Sequence, residues 1–106
     1  MTYTVRFSSD AANQLEALYR YVASSASPTV AADYVDAIVA HCEGLAVFPH
    51  RGTMRDDIRP GLRTSSYKKR TVIATFVDDE ARQLTVLGVF YGGQDYDSLL
   101  SAFDNG

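Results

Sequence analysis

Two helix-like patterns of apolar residues lie next to each other in the chain, and this pairing limits the fold more than any other feature. Residues 15–22 carry apolar side chains one helical turn apart, and residues 31–45 do the same. The short stretch between them contains Ser27-Pro28. A serine followed by a proline is typical of a helix start, because proline suits the first helical turn. The sequence therefore predicts a helical hairpin.

Strand-like patterns lie on both sides of this hairpin. Residues 3–7 alternate between apolar and polar, as a half-buried strand does, and Ser8 to Asp10 then offers an N-cap for the first helix. Three further strands are expected at residues 62–67, 71–77 and 83–90, the last two rich in β-branched and aromatic residues. The acidic turn at residues 78–80 predicts that those two strands pair as a β-hairpin.

The order of these elements is β-α-α-β-β-β, which indicates an α+β fold with the helical hairpin packed on one face of a mostly antiparallel sheet. Residues 49–61 contain two prolines and two glycines and are interpreted as an ordered loop. After Gly92-Gly93, residues 95–103 are expected to form a short C-terminal tail helix. Residues 1–106 are interpreted as a single domain.

Charge is unevenly distributed along the chain. The net charge is −3, which argues against generic binding to nucleic acid. Residues 51–70 contain seven Lys or Arg and two Asp, a local charge of +5, and the remainder contains three basic and eleven acidic residues, a charge of −8. One basic surface on an acidic body suggests a specific acidic partner or a phosphate-rich target.

Several classes of protein are not favoured by the sequence. No apolar stretch reaches the roughly 18 residues of a membrane helix, and the first residues lack the apolar block of a signal peptide, so a cytoplasmic protein is expected. The single cysteine, Cys42, excludes an internal disulfide and, with His41, is interpreted as a packing residue rather than a metal ligand. No cofactor motif occurs, and neither a cofactor nor a metal is expected.

Particular residues in a particular order connect these elements to a known family. They are Leu45-x-x-Phe48-Pro49-x-x-Gly52, Arg55 to Arg63, Arg70 before Thr71-Val72-Ile73, and Gly93-Gln94-Asp95 after the last strand. Together with the order of the elements, these residues resemble the ParE family of toxin–antitoxin toxins. The resemblance implies a toxin held inactive in a hetero-oligomer with a ParD-like antitoxin, and DNA gyrase as the usual target. The related RelE branch instead cleaves mRNA on the ribosome.

The residues that a RelE-like nuclease needs are incomplete in this chain. Metal-free RNA cleavage requires a base, an acid and cations around one phosphate. Arg63 and Arg70 resemble two basic positions of the RelE pattern, but Ser65 replaces another, and Gly92-Gly93 follow the last strand where further cations are expected. We therefore expect a protein-binding toxin and not an enzyme. A RelE-like mRNA endonuclease and a non-toxic antitoxin-binding member remain the alternatives.

Candidate binding residues come from the basic window, the end of the last strand and the tail. The predicted antitoxin- or target-binding residues are Arg55, Arg59, Arg63, Arg70, Tyr91, Gln94, Leu99 and Leu100. The alternative for the arginines is a solvated loop or pairing with Asp56 and Asp57 in the same chain. The alternative for the tail is docking on its own domain.

Overall fold

A computed structural model describes residues 2–91 of the chain. The elements in chain order are β1 (Thr4–Phe7), α1 (Ser9–Ser25), α2 (Pro28–Gly44), β2 (Thr53–Met54), β3 (Leu62–Tyr67), β4 (Thr71–Asp78) and β5 (Gln83–Tyr91). The strands form one sheet in the order β1-β5-β4-β3-β2. β1 is parallel to β5 and the other pairs are antiparallel, so the predicted α+β fold with a mostly antiparallel sheet is confirmed.

Both predicted serine caps are present in the helical hairpin. The Ser8 hydroxyl accepts a hydrogen bond from the N–H of Ala11, and the Ser27 hydroxyl accepts one from the N–H of Val30. α2 ends at Gly44, and i to i+3 hydrogen bonds continue the turn through Val47. The carbonyl of Ala46 accepts a hydrogen bond from the N–H of Tyr3 (2.9 Å), which ties the chain after α2 to the start of β1.

The main core lies between the helical hairpin and one face of the sheet. The apolar stripes of both helices point into it, as their spacing predicted. Its buried residues are Ala11, Leu15, Leu18, Ile38, Cys42, Leu45, Ile73, Leu84, Val86 and Val89. A smaller cluster of Leu62, Ala74 and Phe90 lies on the opposite face of the sheet, with Ile58 of the loop packed against it. The loop of residues 55–61 therefore covers part of the second face.

A β-bulge in β5 changes which of its side chains point to each of the two clusters. Ala74 pairs with Gly88 but Thr75 pairs with Val86, so one extra residue, Leu87, stands on β5. The extra residue shifts the alternation of side chains. As a result Val86 and Val89, three residues apart, both reach the main core.

Side chains of the α1 segment replace the missing strand beside this bulge. β1 ends at Phe7, which pairs with Val86, and the next residues of β5 have no strand neighbour on that side. The Ser8 hydroxyl donates to the carbonyl of Leu87 (3.0 Å), and Gln14 Oε1 accepts from the N–H of Val89 (2.7 Å). The backbone groups of the bulge are thus satisfied where the strand ladder stops.

The expected loop at residues 49–61 contains the two-residue strand β2, which the sequence interpretation did not include. Thr53 pairs with Thr64 and Met54 with Arg63. Gly52 permits this pairing because its φ is +101° and a Cβ there would lie 2.6 Å from the carbonyl oxygen of Thr64. The expected tail helix at residues 95–103 lies outside the described residues.

Candidate functional site

An open groove lies between the helical hairpin and the sheet end at which β4 begins and β5 ends. Its volume is about 510 Å³. The walls are mainly apolar or aromatic, with one guanidinium, and the lining residues are Leu18, Tyr21, Val22, Val30, Tyr34, Arg70 and Tyr91. We call it the Arg70 groove. Sequence reasoning assigned most of its tyrosines and valines to helix packing and named only Arg70 and Tyr91 as site residues.

Two tyrosines of the helical hairpin give the Arg70 groove its shape. The Tyr34 hydroxyl is 3.1 Å from Oγ1 of the buried Thr71, which fixes α2 to the first residue of β4. The Tyr21 ring lies beside the Tyr91 ring, with centroids 5.7 Å apart and planes tilted by 35°. Tyr21 is nevertheless 60% exposed, so the groove presents an accessible aromatic surface.

A basic turn between β3 and β4 forms the rim of the Arg70 groove. Lys68 and Lys69 both have positive φ (52° and 60°), and the N–H of Arg70 donates to the carbonyl of Tyr67 (3.2 Å). This geometry places three successive cations at one corner of the sheet. Among the described residues Arg70 forms no ion pair, so its guanidinium is available to a carboxylate from outside.

The arginines of the loop behave differently. Arg55 binds Asp57 through two hydrogen bonds (Nε to Oδ1, 3.0 Å; Nη2 to Oδ2, 2.9 Å), which hold the pKa of the Asp57 carboxyl below its usual value. Pairing within the chain, the alternative for these arginines, is thus present at Arg55. Arg59 is half-buried in the same turn, where its N–H donates to the carbonyl of Arg55. A partner-binding role for Arg55 and Arg59 stays a prediction.

Arg63 and Arg70 point to opposite ends of β4. Arg63 Nη1 donates to the carbonyl oxygen of His50 (2.9 Å), and its charge helps to lower the pKa of Asp79. Asp79 follows the last residue of β4, whereas Arg70 precedes the first. Arg63 itself pairs with Thr75, five residues beyond Arg70, a separation of about 16 Å at ~3.3 Å per residue. Because the Arg63 side chain is bound at the Asp79 end, the two arginines do not converge on one small ligand.

A second polar cluster, not foreseen from the sequence, joins three segments near Asp79. The Tyr3 hydroxyl donates to Asp79 Oδ1 (2.6 Å), and His50 Nε2 lies 2.8 Å from the same oxygen. The hydrogen bond from Tyr3 is the main cause of the lowered pKa of Asp79, and the same bond raises the pKa of Tyr3. The sequence carries no signal for this cluster, because Tyr3 and Asp79 are 76 residues apart.

The remaining predicted residues are placed as follows. Tyr91 is half-buried and lines the Arg70 groove, whereas Gln94, Leu99 and Leu100 lie outside the described residues. Burial raises the pKa of the Cys42 thiol to about 12, so it stays protonated. Over residues 2–91, no three His, Cys, Asp or Glu side chains are grouped as metal ligands.

Comparison with known proteins assigns the chain to a family. The model of the ParE toxin of the type II toxin–antitoxin system parDE matches residues 5–96. The chain belongs to the ParE toxin family. Its matched region includes every element of the described structure except the first residue of β1, and it contains the Arg70 groove. No curated protein matches the sequence.

Two solved structures share the fold of this ParE family member. A chain of the chromosomal ParDE toxin–antitoxin system from P. aeruginosa is 21% identical, with a TM-score of 0.73, and the match covers 85% of this chain and 96% of that one. A chain of the toxin–antitoxin complex RelBE2 from Mycobacterium tuberculosis is 23% identical, with a TM-score of 0.64, covering 89% and 95%. Neither helix of the part described here is long and apolar enough to cross a bilayer.

Proposed function

We propose that this ParE family member is the toxin of a type II toxin–antitoxin pair, neutralised by a ParD-like antitoxin, and that it inhibits DNA gyrase by binding to it. The observation that carries the antitoxin part is the Arg70 groove, an apolar and aromatic surface with a guanidinium at its rim that forms no ion pair within residues 2–91. Both similar solved structures come from toxin–antitoxin systems, and this supports an antitoxin as the partner.

The chemistry of the Arg70 groove fits an acidic amphipathic segment. Tyrosine and arginine are the residue types that carry much of the binding energy in protein interfaces, since they combine a large contact area with directed hydrogen bonds. Tyr21 and Val30 are exposed at the groove, and an apolar partner side chain would remove both from water. A carboxylate on the same segment would pair with Arg70 in the forked geometry that arginine favours.

The positions of the arginines support binding of a protein rather than cleavage of RNA. A metal-free nuclease must surround one phosphate with several cations and an acid–base pair. Arg63 is bound to the carbonyl of His50 at the Asp79 end of the sheet, and Arg70 lies at the other end. Ser65, in place of a predicted basic residue, lies on β3 between these two ends.

Calorimetry with the ParD-like antitoxin tests the groove assignment. Arg70→Ala should weaken the complex at least about tenfold, because the antitoxin carboxylate loses its charged partner. Arg6→Ala is the matched control, since it removes an exposed cation on β1 that does not line the groove. Unchanged affinity in Arg70→Ala, Arg63→Ala and Arg59→Ala alike would show that the basic window is not part of the interface.

Two assays with purified protein separate the proposed target from the alternative. The full-length protein should inhibit supercoiling by gyrase and should leave mRNA intact in a translating extract. Codon-specific cuts that disappear in Arg70→Ala would instead make this chain a RelE-like endonuclease. Absence of both effects in a folded protein that binds its antitoxin would favour a non-toxic antitoxin-binding member.

A further inference from the structure

We propose that a second surface, around Phe48, binds an acidic extended segment of the toxin's protein target through one apolar anchor side chain. This inference rests on the proposed function, because it presumes that the chain acts by binding a protein. The surface is a depression lined by Val47, Phe48, Pro49, His50 and Arg51, and we call it the Phe48 surface. It is separate from the Arg70 groove.

The Phe48 surface carries exposed apolar side chains on a backbone that is fixed by hydrogen bonds. Phe48 is 66% exposed and Val47 is 59% exposed, although both lie within three residues of the buried Leu45. The backbone beneath them is fixed, because the Ala46 carbonyl binds the N–H of Tyr3 and His50 binds Asp79. A rigid exposed aromatic loses little conformational entropy on binding, which makes it suited to receive or provide an anchor contact.

A polar depression continues the Phe48 surface along the edge of the sheet. Its lining includes Arg51, which is shared with the Phe48 surface, together with Gly52, Thr53, Thr64, Ser65, Ser66 and Val72. β2 pairs only with Arg63 and Thr64, so β3 extends beyond it. The carbonyl of Leu62 accepts a hydrogen bond from the N–H of Arg55 on the β2 side of the strand. Backbone groups point to the same side at every second residue of a strand, so the N–H and carbonyl of the exposed Ser66 point to this open edge as well. An extended peptide can pair there.

Charge determines what kind of segment fits. Within residues 2–91, Arg51 takes part in no ion pair, and it lines both the Phe48 surface and the polar depression. A carboxylate of the ligand would therefore find a cation between an apolar depression and an open strand edge. The exposed phenylalanine and valine favour a peptide with an aliphatic or aromatic side chain over a sugar–phosphate backbone, which offers no apolar group to cover them.

The Phe48 surface and the Arg70 groove share no lining residue and can be tested separately, although the polar depression that continues from the Phe48 surface reaches Val72 near the start of β4. The Phe48 surface adjoins His50 and Asp79 at the end of β4, and the Arg70 groove adjoins Thr71 at its start. The eight residues of β4 span about 23 Å at ~3.3 Å per residue step. A substitution at one surface should therefore leave binding at the other intact.

The experiment measures growth arrest and antitoxin binding in parallel for the full-length protein in bacterial cells. Phe48→Ala and Arg51→Glu should each lower toxicity at least about tenfold on an inducer titration, as loss of an interface anchor does. Both variants should retain the wild-type affinity for the antitoxin and the wild-type melting temperature. Arg51→Lys should keep most of the toxicity. Phe76→Ala, another exposed aromatic, and Arg20→Glu, an exposed cation on α1, are the matched controls and should remain toxic.

Several results would overturn the proposal. Full toxicity of Phe48→Ala and Arg51→Glu would show that the target does not use this surface. Loss of toxicity in Arg51→Glu alone would show that Phe48 makes no anchor contact with the target. A lower melting temperature with unchanged toxicity would mean that the chain's own residues cover Phe48. Absence of toxicity in the wild-type protein is a different failure, since it refutes the proposed function first and this inference with it.

Discussion

The hydrogen bond from Val89 to Gln14 allows a test of how the bulge in β5 is stabilised. Val89 is completely buried, and its N–H donates to Gln14 Oε1 at 2.7 Å, where β5 has no strand neighbour among residues 2–91. Gln14→Met keeps a side chain of similar length and helix propensity but removes the oxygen. The N–H would then be buried without a partner. Leaving a buried donor unsatisfied costs about 1–3 kcal/mol.

The expected change in melting temperature follows from the size of the chain. With an unfolding entropy of about 2.1 cal/mol/K per residue, 106 residues give roughly 0.22 kcal/mol/K. A loss of about 1–3 kcal/mol therefore lowers the melting temperature by roughly 5–13 °C. Urea unfolding followed by circular dichroism measures the same loss as a lower midpoint at an unchanged slope.

The matched control for this prediction is Gln14→Glu. Glutamate keeps an oxygen acceptor at the same position, so at neutral pH its stability should stay close to that of the wild type. If Gln14→Met unfolds within about 0.5 kcal/mol of the wild type, the Val89 N–H has found another partner and the reasoning is wrong. Equal losses in both variants would assign the effect to packing of the amide rather than to its acceptor.

Three further perturbations test other parts of the structure. Gly88→Ala should lower the free energy of unfolding in urea by about 1–3 kcal/mol, because the new Cβ would lie 2.6 Å from the Phe90 ring. Gly44→Ala serves as the control, since a Cβ at this exposed glycine meets no atom within 4 Å. The pKa of Asp79 is lowered, chiefly by the hydrogen bond from Tyr3. The stabilising effect of the carboxylate is therefore present above the usual carboxyl pKa of 3.8 and is lost as the pH falls through the lower folded value. In a melting series at acid pH, Asp79→Asn should show a smaller decline in melting temperature than the wild type. Burial, with a smaller contribution from Arg51, lowers the pKa of His41, so the unfolded chain binds the extra proton first and stability should fall as the pH drops below about 6.5. His41→Leu should reduce that decline, and an unchanged pH dependence would contradict it.

Local sequence patterns predicted most of the elements because local physics determines them. The serine caps at Ser8 and Ser27 and the apolar stripes define the two helices, and β3 was predicted with the bounds that the structure has. Two features escaped prediction. The strand β2 is only two residues long, and the bulge at Leu87 depends on packing between elements far apart in the sequence.

The candidate site was less predictable than the fold. Arg70 and Tyr91 were identified from the sequence, and the structure brings both to one groove. Tyr21 and Tyr34 were not identified, since a tyrosine on a helix gives no sign of whether its ring lines a core or a groove. The contacts of Asp79 with Tyr3 and His50 were not predictable, because exposed polar contacts between distant residues leave no periodic pattern.

The parallel pairing of β1 with β5 has a consequence for how the protein is made. Thr4 pairs with Gln83 and Phe7 with Val86, so the first strand has no pairing partner until nearly 80 further residues have been synthesised. Closing so long a segment is entropically costly and slow compared with forming the local helical hairpin. During translation β1 and the sheet-facing side of α1 remain uncovered until β5 has been made, and His50 of the Phe48 surface lacks its partner until Asp79 has been made. A protein with this topology therefore completes its sheet, and with it the groove that Tyr91 lines, only after the last described strand has been made.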